Sequence, residues 1–322
     1  AYMRNATGYY RFASLQDFID CKPEGAALTY GYNGVKDPNA QVTFNQIGFY
    51  LQDEWSINPN LKLTYGIRFD NIAFDNSDIQ RNDAIYALDF NGKKVDTGKW
   101  PGSNMQVSPR VGFSWDVKGD RSLIVRGGTG LFAGRLPLVF FTNMPTNANM
   151  VQNSIRNISG DQLQKLVSGG KFLTKVDDMI AALGATSQLT KHEAGSTISG
   201  VASDFKMPQV WKSSVAVDYN VPVSFPFQVT AEFMFNKNIS ACYIENINLK
   251  EPTKHFAGAD NRPMFDKNDM YYTGKYNTVV LDNTSKGYGH VLTLSANAQP
   301  TENLKLMVAY THTESKEMSG MP

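Results

Sequence analysis

Over residues 46–74 apolar and polar side chains alternate with a period of two, twice in succession, about a very short turn. Ile47, Phe49, Leu51, Trp55 and Ile57 share one parity, and Gln46, Gly48, Tyr50, Gln52, Glu54 and Ser56 the other. After Asn58, Pro59 and Asn60 the alternation resumes, with Leu61, Leu63, Tyr65, Ile67 and Phe69 opposite Lys62, Thr64, Gly66, Arg68 and Asp70. Successive side chains of a strand point to opposite faces, so each run predicts a two-faced β-strand. Each run holds for about twice the usual 5–6 residues and matches the ~9–11 residues of a tilted strand that crosses a bilayer.

The pattern recurs three times. Val107, Val111, Phe113, Trp115 and Val117 oppose Ser108, Arg110, Gly112, Ser114 and Asp116; beyond a turn at 118–121, Leu123, Val125 and Leu131 oppose Arg126, Gly128 and Gly130. Pro109 falls on the apolar parity and predicts an edge, a bulge or a position ahead of full pairing. Trp211, Val215, Val217, Tyr219 and Val221 lead through a turn at 222–226 to Val229, Ala231, Phe233 and Phe235, against Gln228, Thr230, Glu232 and Asn236. Residues 241–249 are a possible strand extension. The last hairpin carries Leu292, Leu294 and Ala296, turns at 300–303, and continues with Leu304, Leu306, Val308 and Tyr310.

Between the hairpins lie long polar stretches. Residues 1–43 are turn-rich, with Ser14 and Asp17 able to cap a short helix carrying Leu15, Phe18 and Ile19, and with Gly25, Gly31, Gly34 and Pro38 marking loop. Residues 75–105 read as loop. The longest interruption, about 134–209, predicts a folded insertion with two small helices. Asp161 and Gln164 cap one, carrying Leu163, Leu166 and Val167; Thr174 and Asp177 cap the other, carrying Val176, Met179, Ile180 and Leu183, with Gly169 and Gly170 between. Tight turns at one end and long loops at the other are the asymmetry of outer-membrane barrels, whereas soluble sandwiches have shorter strands and more even connections. The expected fold class is therefore all-β: an antiparallel up-and-down transmembrane β-barrel segment of about eight strands, with long extracellular loops carrying short helices.

Composition refines this picture. In 322 residues the net charge is +1, which argues against a general nucleic-acid binder. The mean hydropathy of −0.34 fits a barrel, which dilutes its apolar residues with a polar face and loops. No run approaches the ~18 apolar residues of a transmembrane helix. The 15 Tyr, 19 Phe and 4 Trp suit aromatic girdles. Trp55, Trp115, Trp211 and Tyr219 are expected beside the tight turns as a periplasmic girdle, with plain cross-strand packing the alternative. Cys21 and Cys242 allow one bridge, two unpaired thiols being the plainer expectation. The start, AYMRNATGYY, has no basic region followed by an apolar core, and the chain is expected to be a piece of a longer protein.

The phrases IGFYLQDEW and LKLTYGIRFD resemble barrel strands of TonB-dependent outer-membrane receptors. SPRVGFSWDV with RGGTGLFAGRLP, then FKMPQVWKSSVAVDYNVP and TAEFMFNKNI, resemble more narrowly the Oar-like branch of Bacteroidota, and GYYRFASLQDFID fits the same branch. The resemblance covers nearly the whole chain. It implies a barrel of about 22 strands with a plugged lumen, a TonB-box segment that meets the energising complex, and import of a large or scarce ligand. The plug and the remaining strands would lie outside residues 1–322. Implied partners are outer-membrane lipid, the plug, the TonB complex and an unknown ligand, with capture by the long loops or a surface lipoprotein; a passive porin-like or structural barrel is the alternative.

Candidate chemistry is sparse. Arg68, Arg110 and Arg126 fall on the polar parity of consecutive strands and Arg135 follows just beyond, while Glu54, Asp70, Asp116 and Glu232 share that side. Cross-strand charge pairs or plug docking are expected ahead of direct ligand contact, with Arg126 and Arg135 against the plug. The glycines at 127, 128 and 130 lack Walker spacing and predict close backbone approach. His192, His255, His290 and His312 are scattered, without HExxH, and are expected on the surface or in loops. No GxSxG or Ser–Lys signature points to an enzyme. Residues 75–78 and 266–269 lack an EF-hand continuation and read as solvated turns. No metal or cofactor is expected.

Overall fold

The alternating runs pair, each with its neighbours in sequence, into one meandering wall. A computed structural model describes residues 8–35, 38–135, 138–273 and 277–318. The wall strands are β1 (Phe44–Asn58), β2 (Leu61–Phe74), β3 (Asn104–Asp116), β4 (Leu123–Ala133), β5 (Gln209–Asn220), β6 (Phe227–Asn246), β7 (Tyr288–Thr301) and β8 (Leu304–Lys316). They pair antiparallel in the order β1 to β8. Among the described residues β1 and β8 are each paired along one edge only, so the sheet is open.

Register keeps the two faces separate. Phe49 stands opposite Phe69, Trp55 opposite Leu63, Val217 between Val125 and Ala231, and Leu294 between Ala231 and Tyr310. This apolar face has no cover: Ile47, Leu51 and Val308 are 70%, 67% and 71% exposed. A surface of that kind calls for lipid or another apolar partner. Asp53 shares the parity of Leu51 and Trp55, and the Tyr65 hydroxyl opposite donates to its Oδ2 at 2.8 Å. Pro109 pairs with Ile67 of β2, and pairing to β4 begins only at Arg110; of the three expected placements, it takes the position ahead of full pairing.

The loops at the other end from the tight turns fold together into a cap with three apolar clusters. One unites Leu28 and Tyr30 with Ile158, Leu163, Leu166 and Met179. The second gathers Trp100, Phe141 and Phe205 around Phe74, and the third packs Ile85, Phe90 and Val95 against Ile198 and Ile247. β6 carries the wall into this cap. Its first half pairs with β5 and β7, while Ala241 to Asn246 pair with the strand Asn277–Thr284. That strand also receives Thr197–Val201 in parallel. The wall is antiparallel throughout, but the cap breaks the expected rule because a segment of the long insertion enters from the same direction.

Several local expectations change. Residues 25–31 form a strand, Gly25–Gly31, between Tyr9–Arg11 and Gln152–Ile158; the run Ala26, Ala27, Leu28 is buried and overrides the glycines at either end. Ser14 does cap Leu15–Ile19, accepting from the Asp17 amide at 3.1 Å, yet Leu15, Phe18 and Ile19 stay exposed. The helix Gly160–Gln164 starts from Ser159 and the helix Val176–Leu183 from Lys175, neither with a side-chain cap. Asp161 and Asp177 lie inside the first turns, where carboxylates favour the helix dipole without capping. The helices Asp83–Tyr86 and Leu138–Asn147 were not expected, the second because Pro145 interrupts its pattern. Cys21 and Cys242 are both free thiols.

Candidate functional site: the polar face of the wall

Each polar side chain on the inner face has a neighbour one strand away, and the spacing of strands sets who meets whom. Arg126 on β4 stands beside Ala216 on β5, which stands beside Glu232 on β6. Because Ala216 is short, the guanidinium reaches across it. Its Nε lies 2.9 Å from Asp218 Oδ2 and its Nη2 3.7 Å from Glu232 Oε2. Thr230 Oγ1 donates to the other Asp218 oxygen at 2.7 Å. Arg68 grips Asp70 on its own strand with two bonds of 2.7 Å. Asp70 is buried, since the cap closes over this end of the polar face. Gln106, opposite Asp70, donates from Nε2 to the Met207 carbonyl of the long insertion and anchors that closure.

The expected cross-strand charge pairs are therefore formed by Arg126 and Glu232, whereas Arg68 pairs within its own strand. Glu54 pairs with Lys62 at 2.8 Å. Asp116 instead accepts from the amides of Gly119 and Arg121 and shapes the turn to β4. Arg110 and Arg135 have no ion-pair partner among the described residues; Arg135 lies exposed just past the end of β4. Sequence reasoning missed Asp218, the nearest counter-charge of Arg126, although its parity marks it as inner. It also missed Phe132 and Lys212.

Phe132 and Lys212 frame a groove of about 360 Å³ on the polar face. Gly66, Gly112 and Gly128 leave its floor bare, and Gln52, Arg110, Phe132, Lys212 and Met234 line its sides. A Cβ on Gly66 would sit 2.8 Å from the Leu51 carbonyl oxygen, and one on Gly130 2.8 Å from that of Pro109. Glycine is therefore required by close backbone approach. The Arg110 guanidinium lies 4.4 Å from the Phe132 ring centroid and Lys212 Nζ 5.9 Å from it, a cation–π arrangement that holds two positive charges at one wall. The groove can accept an apolar or aromatic side chain flanked by negative charge. Among the described residues no group of His, Cys, Asp and Glu is set to hold a metal ion.

On the apolar face Trp55, Trp115 and Tyr219 lie next to tight turns, as expected. Trp211 does not. It opens β5, opposite Leu131 and Lys237, at the loop end of the wall. The expectation followed position near a strand terminus without following strand direction, and β5 runs from cap to turn. His290 and His312 lie at the surface, as expected, but on adjacent strands of the apolar parity with ring centroids 6.4 Å apart.

A family model described as outer membrane beta barrel domain matches residues 3–320. Structural likeness is found to the outer membrane transporter YddB of Escherichia coli (11% identity, TM-score 0.47, over 91% of this chain and 28% of that one). It is found also to the FrpB iron transporter of Neisseria meningitidis, F5-1 variant (13%, 0.44, over 86% and 27%). A third is the siderophore receptor PirA of Pseudomonas aeruginosa (11%, 0.39, over 91% and 42%). The chain thus spans less than half the length of each of these structures. No curated protein matches the sequence significantly. With a polar inner face, an uncovered apolar outer face and a match over nearly its whole length, the chain belongs to the outer membrane beta-barrel domain family and is an integral protein of the outer membrane.

Proposed function

We propose that the chain is part of the barrel of a TonB-dependent receptor of the Oar-like branch, which binds a large or scarce ligand and imports it with energy relayed by TonB. The observation that carries this reading is the closure of the loop end over the polar face. Asp70, Gln106 and Ser108 point to the inner side and are buried beneath the insertion, so solutes meet a folded cap before they meet the wall. Such a barrier fits a ligand-selective, gated path. In this reading the tight turns face the periplasm and the cap faces the exterior, where it captures ligand or a surface lipoprotein. The groove beside Phe132 receives a segment of the plug, with Arg110 and Lys212, which have no ion-pair partner among the described residues, as its cations. Arg126 is occupied by Asp218 and Glu232 and sets register there. The reading makes the barrel a transporter without catalytic chemistry.

Ligand accumulation by cells expressing the full-length protein, with and without TonB, tests the proposal. Accumulation should depend on TonB; equal uptake in its absence sinks it and favours the porin-like barrel. Arg110→Ala with Lys212→Ala should loosen the plug, measured by cysteine labelling of plug residues, while leaving assembly intact.

A further inference from the structure

Asp53 interrupts the apolar face of the wall near mid-height. It shares the outward parity of Leu51 and Trp55 and is exposed. The other charged residues on that parity, Lys237, Glu314 and Lys316, lie at the loop end. On β1 the apolar stretch runs from Ile57 beside the tight turn to Ile47 toward the cap, and Asp53 lies four residues from the first and six from the second. At ~3.3 Å per residue and a tilt of about 40°, those spans are about 10 Å and 15 Å along the membrane normal. Together they equal the ~25 Å apolar band of such barrels. A carboxylate at that depth has hydrocarbon above and below it, where an ionisable group is costly unless it is paired.

The carboxylate is held in place, but its charge is not cancelled. Oδ2 accepts from the Tyr65 hydroxyl at 2.8 Å and Oδ1 from the Glu54 amide at 2.9 Å. Both donors are neutral. Among the described residues Asp53 has no ion-pair partner, and its cross-strand neighbour Tyr65 is flanked on the outward parity by Leu63 and Ile67. The other edge of β1 is unpaired over all 15 residues, and an edge of that length needs a cover. Alternation alone does not fix how a strand joins it. A one-residue slip turns every side chain to the wrong face, but a two-residue slip keeps the parity. A single charged position on the outward face removes that ambiguity, because opposite charges directly across stabilise a strand pair and an unmatched one does not.

We infer that the segment of chain preceding residue 1 forms a strand antiparallel to β1 along this free edge, and that it places a lysine or arginine directly opposite Asp53. Tyr65 then holds the carboxylate from one side and the cation from the other, and the pair sets the register at which the next stave joins the wall. Charge complementarity selects this occupant. A soluble cation has no access at that depth, and an uncharged strand leaves the carboxylate facing lipid. The inference rests on the reading of the chain as part of a larger barrel and is independent of what that barrel transports.

The test uses the full-length protein with Cys21 and Cys242 replaced by alanine. Asp53→Cys is combined in turn with one cysteine at each outward-parity position of the preceding strand, and disulfide formation in outer-membrane vesicles is followed by gel mobility and mass spectrometry. Only residues directly across from each other meet the distance a disulfide requires, so the fastest cross-link should fall where the natural chain has lysine or arginine. In otherwise natural protein, Asp53→Asn should raise the unfolding equilibrium constant in detergent about five-fold. Asp53→Lys should raise it further, and adding an aspartate in place of the opposing cation should restore it. A fastest cross-link at an uncharged or acidic position overturns the inference and leaves the barrel reading standing, as does a charge exchange no more stable than Asp53→Lys alone. Cross-links only between two copies, or none at any position, overturn the inference together with that reading.

Discussion

Replacing Asn82 by aspartate tests how the cap is held together. Asn82 is fully buried and joins three separate stretches of chain. Its Oδ1 accepts from the amides of Ala84 at 2.9 Å and Ile85 at 3.2 Å, capping the helix Asp83–Tyr86. Its Nδ2 donates to the carbonyls of Ala148 at 2.7 Å and Glu193 at 3.0 Å, both in the long insertion. Aspartate has the same shape and caps a helix as well, but it turns an acceptor toward two carbonyls. Each buried carbonyl stripped of its donor costs about 1–3 kcal/mol, so Asn82→Asp should cost about 2–6 kcal/mol. Asn82→Ala removes the same two donors and the cap, the latter worth about 1 kcal/mol, without aiming an acceptor at the carbonyls. Hydrogen exchange on the full-length protein in detergent locates the effect. Peptides around Ala148 and Glu193 should exchange at least about 30-fold faster, the equivalent of about 2 kcal/mol, while β2 and β3 stay protected. An aspartate variant with wild-type protection in the cap would refute the reasoning, and so would a wall that loosens equally.

Phe141 is fully buried, stacked on Phe74 at 5.1 Å between centroids and edge-on to Phe205 at 5.6 Å; Phe141→Ala should destabilise the cap by about 3–5 kcal/mol, seen as faster proteolysis of residues 75–103, with Phe141→Leu much milder. The Arg126 side chain is 45% exposed, so Arg126→Ala should cost about 1 kcal/mol or less in detergent unfolding, and a loss several times larger would show that the pair does more than set register. Gly130→Ala places a methyl against the Pro109 carbonyl and should cost about 1–3 kcal/mol by overpacking, measured by heat-modifiable migration of the folded barrel. Burial raises the Tyr30 phenol above its ordinary value, against a smaller opposing bond from Asn153, and raises Tyr10 likewise. A raised folded value means stability that is complete below the ordinary phenol pKa of about 10 and lost as pH rises through the folded value. The cap should therefore loosen in strong alkali, followed by phenolate absorbance, and ionisation of Tyr30 at the ordinary value with the cap intact would contradict this.

The wall was legible because one physical constraint repeats along it. A strand between lipid and a wet interior must alternate, and the pairing of Phe44 with Phe74 closes the first hairpin within two residues of the expected boundary. The cap was not legible, because its strands are short, its partners are distant in sequence, and its order comes from burial. Gly25–Gly31 finds Gln152–Ile158 more than a hundred residues away, a pairing that no local pattern encodes. The polar face falls between these cases. Its charges could be read from parity, but the reach of Arg126 across Ala216 to Asp218 needed register. Trp211 shows the same limit, since only strand direction tells which membrane surface an aromatic residue serves.

β6 is 20 residues long and unbroken from tight turn to cap. A lid swings about a thin root, and this root is a strand bonded along both edges from Gln228 to Lys237 and along one edge from Ala241 to Asn246. Sliding it by one residue would turn every side chain to the wrong face. The cap is thus fixed to the wall on this side like the spine of a book, and any opening toward the lumen must lift from the far edge, where residues 75–103 and the long insertion meet at Asn82.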